Sequence, residues 1–222
     1  MARAYENPSN PSADVDAATL PLRGGRLCLD FANTVDWHAG ARHGQEYLTS
    51  YAELIAWGRH AGILAGDEAH TLMREAAHHA ERAQAALDQA IALREVVYRV
   101  FSVLAHGHPT DAGDLAALNA VLVEAHAHLR LRAGTPHFSW AWEPDGPALD
   151  RILWPVARSA AELLTADELE RVRECASDSC GWLFLDTSKN RSRRWCDMAG
   201  CGNRAKARRH YARGRRSTGP DT

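Results

Sequence analysis

The sequence lacks the long apolar runs that membrane-spanning segments and secretory signals need. No stretch of about 18 apolar residues occurs anywhere in the chain, so we expect no membrane partner. The N-terminal segment MARAYENPSNPSADVDAATL also has no apolar core of the kind that signal peptides carry. Because this segment is rich in Pro, Ser, Asn and Asp, we expect a flexible lead-in over residues 1–19 of a cytoplasmic protein.

The signatures of several common catalytic sites are also missing. The sequence contains no G-x-S-x-G nucleophile motif, no glycine-rich phosphate loop and no H-E-x-x-H metalloprotease pair. Its histidines occur in doublets, but neighbours one or two positions apart point away from each other on a helix. We therefore interpret them as solvated side chains and expect no enzyme activity and no catalytic residues.

Positive charge is scarce over most of the chain and concentrated at its C-terminal end. The net charge is −2, yet residues 187–222 alone carry eleven Lys or Arg and two Asp, a charge of +9. The remaining residues therefore sum to −11. A segment this basic predicts a polyanionic partner, with the acidic body of the chain itself as the alternative.

The periodicity of residues 20–170 predicts a mostly helical body. Ser50 precedes Glu53 by three positions, which is a capping-box pattern for a helix start, and Gly62 is a suitable helix end. Residues 67–105 contain no Pro or Gly and place apolar residues at helical spacings, which predicts one long helix or two abutting ones.

Two further helices are expected beyond this region. Residues 115–129 repeat apolar positions at helical spacing, and residues 147–175 do so again. Within the second of these segments, Pro155 predicts a kink or a break.

Two short segments of the body predict β structure. Leu27, Leu29 and Phe31 alternate after a Gly-Gly turn, which predicts a hairpin or an isolated strand pair. The aromatic segment GTPHFSWAWEPDG is bounded by turn residues and predicts a strand at the edge of a hairpin.

Four of the five cysteines have the spacing C-x4-C-x15-C-x4-C, at Cys175, Cys180, Cys196 and Cys201. Two close pairs separated by about fifteen residues predict one structural Zn²⁺ with four thiolate ligands. A disulfide pair would need an oxidising compartment, and a redox site usually shows C-x-x-C. The segment GWLFLDTSKNRSRRW predicts a hairpin between the two pairs, with a helix opening near Asn203. The fifth cysteine, Cys28, is expected to be a small buried apolar residue.

The C-terminal motifs FLDTSKNRSRRWC and CGNRAKARRHY resemble the CGNR zinc finger of bacteria, and LCLDFANTVDW with the helical body resembles the ABATE domain. The resemblance implies an ABATE-like domain over residues 20–170, a CGNR-type finger over residues 171–216 and a tail over residues 217–222. It also implies that the four cysteines bind zinc and that the protein is a stress-related transcriptional regulator that binds DNA. The expected fold is mainly α with a small β-hairpin element and a four-cysteine finger of a β-hairpin plus a basic helix.

The basic residues of this finger are the candidate DNA contacts. Winding residues 203–213 as a helix places Lys206, Arg209 and Arg213 on one face and Arg204 with Arg208 on another. The alternatives are a solvated surface, a contact with the acidic body, or a protein- or RNA-interaction module whose zinc is purely structural. The full set of candidate contacts is Arg191, Arg193, Arg194, Arg204, Lys206, Arg208, Arg209 and Arg213.

The segment LDFANTVDWH offers polar side chains close together within an otherwise apolar region. Asp30, Asn33, Thr34 and His38 are candidates for a ligand pocket, through which the body would sense a small-molecule effector. The alternative is that Asp30 and Asn33 cap a local turn with side-chain hydrogen bonds. The sequence also leaves open a homodimer.

Overall fold

The computed structural model describes residues 15–36 and 44–208. These residues form six α-helices: α1 Leu27–Ala32, α2 Tyr51–His60, α3 Gly66–His78, α4 Ala80–Ala105, α5 Ala112–Ala127 and α6 Leu153–Leu164. They also form four short strands: β1 Leu129–Arg132, β2 Ser139–Trp142, β3 Val172–Glu174 and β4 Leu183–Leu185. A 3₁₀ turn at Asp167–Arg171, a π-helical turn at Met198–Gly202 and a helical segment at residues 203–208 complete the description. The prediction of a mainly α fold with small hairpins is confirmed.

Helices α2, α3 and α4 begin and end largely where the sequence predicts. The Ser50 hydroxyl accepts a hydrogen bond from the Glu53 amide at 3.2 Å, and the chain leaves α2 through Gly62 at a φ of +75°. Residues 67–105 form two abutting helices, because the backbone of His79 leaves the helical region between α3 and α4. None of the helices in the described part of the chain is long and apolar enough to cross a membrane.

Helix α4 is the centre of the structure. It contacts each of the other five α-helices and both strands of the second hairpin. Its buried positions include Leu87, Leu93, Val97 and Phe101, which recur at intervals of four or six residues and line the sides that face its neighbours. The core that they organise also contains the fully buried rings of Trp57 and Phe31, whose centroids lie 5.0 Å apart.

The prediction of a strand pair at Leu27–Phe31 is wrong, since this segment forms helix α1. Five of its six residues are buried, so the helix is enclosed on nearly every side and its alternation of large and small residues carries no information about a strand. The helix follows a tight turn in which a Cβ on Gly24 would lie 2.7 Å from the Asp30 amide nitrogen, so only glycine fits there.

The prediction of one helix over residues 147–175 is also wrong in part. Helix α6 begins at Leu153 and ends at Leu164, and Pro155 lies in its first turn, where a backbone N–H would have no intrahelical partner. At the C-terminal end of α6 the Thr165 hydroxyl donates to the Ala161 carbonyl at 2.9 Å. The chain beyond it forms a 3₁₀ turn and strand β3 because these residues pair with β4.

The two hairpins are antiparallel and lie in different parts of the chain. In the first, Leu129 pairs with Trp142 and Leu131 with Trp140, which confirms the strand expected in the aromatic segment. In the second, Val172 pairs with Leu185, so β3 and β4 enclose the first two cysteines. The β3–β4 hairpin, the four cysteines and the helical body belong to one continuous hydrophobic core.

Candidate metal centre and basic finger surface

The four predicted zinc ligands converge in the structure. The sulfur atoms of Cys175, Cys180, Cys196 and Cys201 all lie within 4.8 Å of one another, and each residue is buried. The Sγ atoms of Cys180 and Cys196 are 3.6 Å apart, and those of Cys196 and Cys201 are 3.8 Å apart. Tetrahedral zinc with Zn–S bonds of about 2.3 Å separates its sulfur ligands by about 3.8 Å. The donor set and its spacing therefore fit one Zn²⁺.

The first cysteine pair is held by the β3–β4 hairpin. The Cys175 amide donates to the Trp182 carbonyl at 2.9 Å, which extends the strand pairing by one step. Between the cysteines the chain turns back, and the Cys180 amide donates to the Ser177 carbonyl at 3.0 Å. Gly181 follows with a φ of +77°, a conformation that a side chain would strain. This turn directs both sulfurs to the same point.

The second pair is held by the carboxylate of Asp197. Its oxygens accept hydrogen bonds from the amides of Ala199 at 3.2 Å and Gly200 at 2.8 Å, and this cap starts the π-helical turn that contains Cys201. The same carboxylate forms an ion pair of 2.6 Å with Arg23 from the body. The second cysteine loop is thereby tied to the segment that precedes α1.

The predicted hairpin between the two cysteine pairs does not form. Strand β4 pairs with β3, which precedes the first pair, and residues 186–195 return without pairing to β4. The cause is Asp186, which is fully buried and accepts hydrogen bonds from the amides of Ser188 at 2.9 Å and Arg193 at 3.0 Å. These bonds fold the returning segment into side-chain-capped turns.

Crowding of the four thiols separates their proton affinities. The Cys180 thiol donates a hydrogen bond to the Cys175 sulfur, which lowers the pKa of Cys175 to about 7 and raises the pKa of Cys180 above its usual range. The pKa of Cys201 is lowered because Cys175 and the other thiols donate to its sulfur, as does the Arg204 guanidinium at 3.2 Å. When bound, zinc supplies the charge that keeps all four sulfurs as thiolates.

The body holds the finger through the side chain of Asn33. Its amide nitrogen donates to the Leu183 carbonyl at 2.9 Å, and its amide oxygen accepts from the Leu183 N–H at 2.8 Å. Asn33 is 1% exposed, so both bonds are shielded from water. We call this pair of hydrogen bonds between Asn33 and Leu183 the clasp. Two more hydrogen bonds flank it, from the Trp182 indole to the Val35 carbonyl at 3.1 Å and from the Leu185 amide to the Gly24 carbonyl at 2.8 Å.

The other candidate pocket residues also make internal contacts. The Asp30 carboxylate accepts from the Gly24 amide at 2.7 Å, and burial raises the pKa of this carboxyl to about 6. Thr34 is fully buried and its hydroxyl donates to the Phe31 carbonyl at 2.8 Å. Asp30 caps the turn before α1, as the capping alternative expects, whereas Asn33 bonds to the backbone of Leu183 rather than to a local turn. His38 lies outside the described residues.

Family comparison assigns both parts of the chain. The profile of the ABATE family, described as "putative stress-induced transcription regulator", matches residues 25–167. The chain belongs to the ABATE family. The profile of the CGNR zinc finger matches residues 171–214, and a comparison with curated protein sequences gives no match. Together with the sulfur geometry, this match identifies a structural zinc site in the CGNR finger.

A cleft lies where the ABATE domain meets the CGNR finger. Its volume is about 390 Å³, and its walls come from both parts of the chain. The ABATE domain contributes Arg23, Asp36 and Gln45, while the finger contributes Cys201 and Arg204. The zinc ligands are therefore packed against the ABATE domain rather than extended away from it.

Two of the predicted basic contacts are engaged inside the finger, and a third pairs with a residue just before it. The Arg193 guanidinium lies 4.4 Å from the centre of the Phe184 ring and donates to the backbone carbonyls of Trp195, at 2.9 Å, and Cys196. Arg204 donates to the Cys201 sulfur. Arg191 pairs with Glu170 at 3.1 Å in an exposed ion pair.

The other predicted contacts face outward or lie beyond the description. Arg194 is exposed, with its guanidinium 5.5 Å from the centre of the Trp195 ring. Lys206 is exposed, and Arg208 approaches Asp178 at 3.8 Å from a half-exposed position. Arg209 and Arg213 lie outside the described residues.

Two residues of the site, Arg23 and Asp186, were not predicted from the sequence. Asp186 follows an apolar strand and precedes Thr-Ser-Lys-Asn, a pattern typical of a side-chain-capped turn, so its role could have been inferred. Arg23 offers no such local signal, because its partner Asp197 is distant in the sequence.

The zinc assignment predicts one zinc per chain, with a matched pair of cysteine variants as the test. Cys196→Ala should lower the bound zinc well below one equivalent after dialysis against a competing chelator, because it removes one of four ligands. Cys28→Ala should keep one equivalent, since Cys28 is fully buried in α1 and burial raises the pKa of its thiol to about 12. Elemental analysis gives both values, and equal zinc in the two variants would contradict the assignment.

The clasp predicts that Asn33→Ala weakens the finger's hold on zinc. The substitution leaves both backbone groups of Leu183 buried and unpaired, at a cost of about 2 kcal/mol in the free energy of unfolding. Zinc transfer to a coloured chelator should then be roughly tenfold faster, because that cost raises the equilibrium constant for local opening of the finger by a factor of about ten or more. Asn119→Ala, at an exposed position of α5, is the control. Unchanged transfer in Asn33→Ala would show that the clasp does not support the site.

Proposed function

We propose that the protein is a zinc-dependent transcriptional regulator that binds duplex DNA through its CGNR finger. The observation that carries the proposal is a set of exposed basic side chains on the segments that flank the second pair of zinc ligands. Arg194 precedes Cys196 by two residues, and Lys206 and Arg208 follow Cys201 within two turns of helix. The description of the ABATE family as a putative stress-induced transcription regulator supports the same conclusion.

The internal contacts of the finger divide its basic residues into two groups. Arg193 and Arg204 neutralise and position the cysteine loops, so their role is structural. Arg194 and Lys206 keep exposed cationic groups that phosphates can approach, while Arg208 is half-exposed and contacts Asp178 at 3.8 Å and the Ser177 hydroxyl at 3.4 Å. Phosphate contacts of this kind give affinity that falls steeply with salt, while arginine can also pair with guanine edges.

The charge of the rest of the chain favours the finger as the binding surface. Residues 1–186 carry a net charge of −11, which repels a polyanion, whereas residues 187–222 carry +9. A nucleic acid is therefore drawn to one end of the molecule. The alternative of a protein- or RNA-interaction module uses the same charge, so the experiment must separate these partners.

We expect duplex DNA binding to depend on exposed finger cations rather than on total charge. Arg194→Glu with Lys206→Glu should weaken binding at least tenfold at low salt and reduce the slope of log K against log salt by about 2. Arg59→Glu with Arg74→Glu makes the same charge change at exposed positions of α2 and α3 and should have a much smaller effect. Fluorescence anisotropy of the zinc-loaded protein at two salt concentrations measures the affinity and its salt dependence for both double variants.

The outcomes distinguish the candidate functions. Equal affinity of the finger and control variants for duplex DNA would overturn the proposal. Tighter binding of single-stranded RNA than of duplex DNA, with the same dependence on Arg194 and Lys206, would favour the RNA-interaction alternative.

A further inference from the structure

The cleft between the ABATE domain and the CGNR finger is large enough for a small organic molecule. Its volume of about 390 Å³ lies within the range of roughly 300–1,000 Å³ that ligand pockets occupy. The zinc site accounts for little of this volume, because its four sulfurs lie within 4.8 Å of one another and enclose space for one ion. The cleft therefore extends well beyond the metal, with walls from both parts of the chain.

The side chain of Asp36 is fixed on the ABATE wall of this cleft. The hydroxyl of the buried Tyr47 donates to one of its carboxylate oxygens at 3.1 Å, and the Asp36 amide donates to the Gln45 carbonyl at 2.9 Å. Asp36 also follows Val35 directly, and the Val35 carbonyl accepts the hydrogen bond from the Trp182 indole of the finger. A half-buried carboxylate is therefore held at the boundary between the two parts of the chain.

The cations on the walls of the cleft already have anionic partners, whereas Asp36 does not. Arg23 pairs with Asp197 at 2.6 Å, and the Arg204 guanidinium donates to the Cys201 sulfur at 3.2 Å. Asp36 forms no ion pair with any cation in residues 15–36 and 44–208. Burial raises the pKa of its carboxyl, and the attraction of Arg204 offsets this only in part. The negative charge at Asp36 is therefore short of compensation.

The rest of the lining favours an organic cation over a metal ion. Pro21 and the ring of Trp182 give the cleft apolar wall beside Asp36. Hard metal cations take six or more oxygen ligands, and the second carboxylate of the cleft, that of Asp197, is already engaged by an ion pair and two backbone amides. An alkylammonium group needs one carboxylate for its charge and an apolar surface for its carbon chain.

We propose that this cleft binds a small organic cation, an alkylammonium compound whose charged group pairs with Asp36 and whose carbon chain packs against Pro21 and Trp182. Such a ligand contacts the ABATE domain through Asp36 and the finger through Trp182. The site is distinct from the pocket expected at Asp30 and Asn33, whose side chains bond within the chain. The inference goes beyond DNA binding and does not depend on it.

The first test compares three four-carbon probes that differ in their head group. Butylammonium should shift the NMR signal of the Trp182 indole N–H in the zinc-loaded full chain, saturably and with a Kd on the order of 1 mM. At the same concentrations, 1-butanol and butyrate should give no saturable shift, because neither brings a positive charge to Asp36. No saturable shift with butylammonium up to about 50 mM, or equal binding of all three probes, would overturn the proposal.

The second test removes the charge of Asp36 and keeps the shape of its side chain. Asp36→Asn should weaken butylammonium binding at least tenfold with unchanged zinc content, since an amide oxygen can still accept from the Tyr47 hydroxyl. Asp145→Asn makes the same charge change at an exposed position after β2 and should bind as the wild type does. Equal affinities in the two variants would show that the cation does not bind at Asp36. The three probes on the wild-type chain decide the charge requirement even if Asp36→Asn loses its zinc.

Discussion

The paired hydrogen bonds between the Asn33 amide and the backbone of Leu183 are the contact on which the arrangement of the two domains depends. An asparagine side chain carries one donor and one acceptor side by side, so it can satisfy both backbone groups of one residue as a neighbouring strand would. Here it gives the outer side of β4 a partner from the body, while β3 pairs with the inner side. Because Leu183 is fully buried, these backbone groups have no access to water and the bonds are required.

This contact explains why the zinc site is part of the core rather than an appended module. The four cysteines are buried, with exposures from 3% to 8%, and belong to the same apolar cluster as the helices. The metal closes the finger, and the ABATE domain supplies Asn33, Val35 and Arg23 to hold it. The finger is therefore linked to α1, and through α1 to α4, the helix at the centre of the fold.

Local chemistry made part of this structure predictable from the sequence. Helices α2 to α5 follow from apolar periodicity and from caps such as Ser50, and the zinc ligands follow from the spacing of two cysteine pairs. Helix α1 was missed because burial on all sides erases its periodicity. The β3–β4 pairing and the Asn33–Leu183 contact were missed because local sequence patterns do not encode which partner a segment chooses. The Asn33–Leu183 contact, for example, joins residues 150 positions apart. The division of finger arginines into structural and exposed groups likewise depends on tertiary contacts, as with Arg193 against Phe184.

We infer from these contacts that the finger and the ABATE domain form one cooperative unit, joined at α1 and closed by zinc. Hydrogen exchange followed by mass spectrometry, on the full chain with zinc and after its removal by a chelator, tests this most directly. We expect zinc removal to speed exchange in the peptide covering residues 24–36 as well as in residues 172–208, while α2 and α3 keep their protection. Faster exchange confined to residues 172–208, with the α1 peptide unchanged, would contradict it.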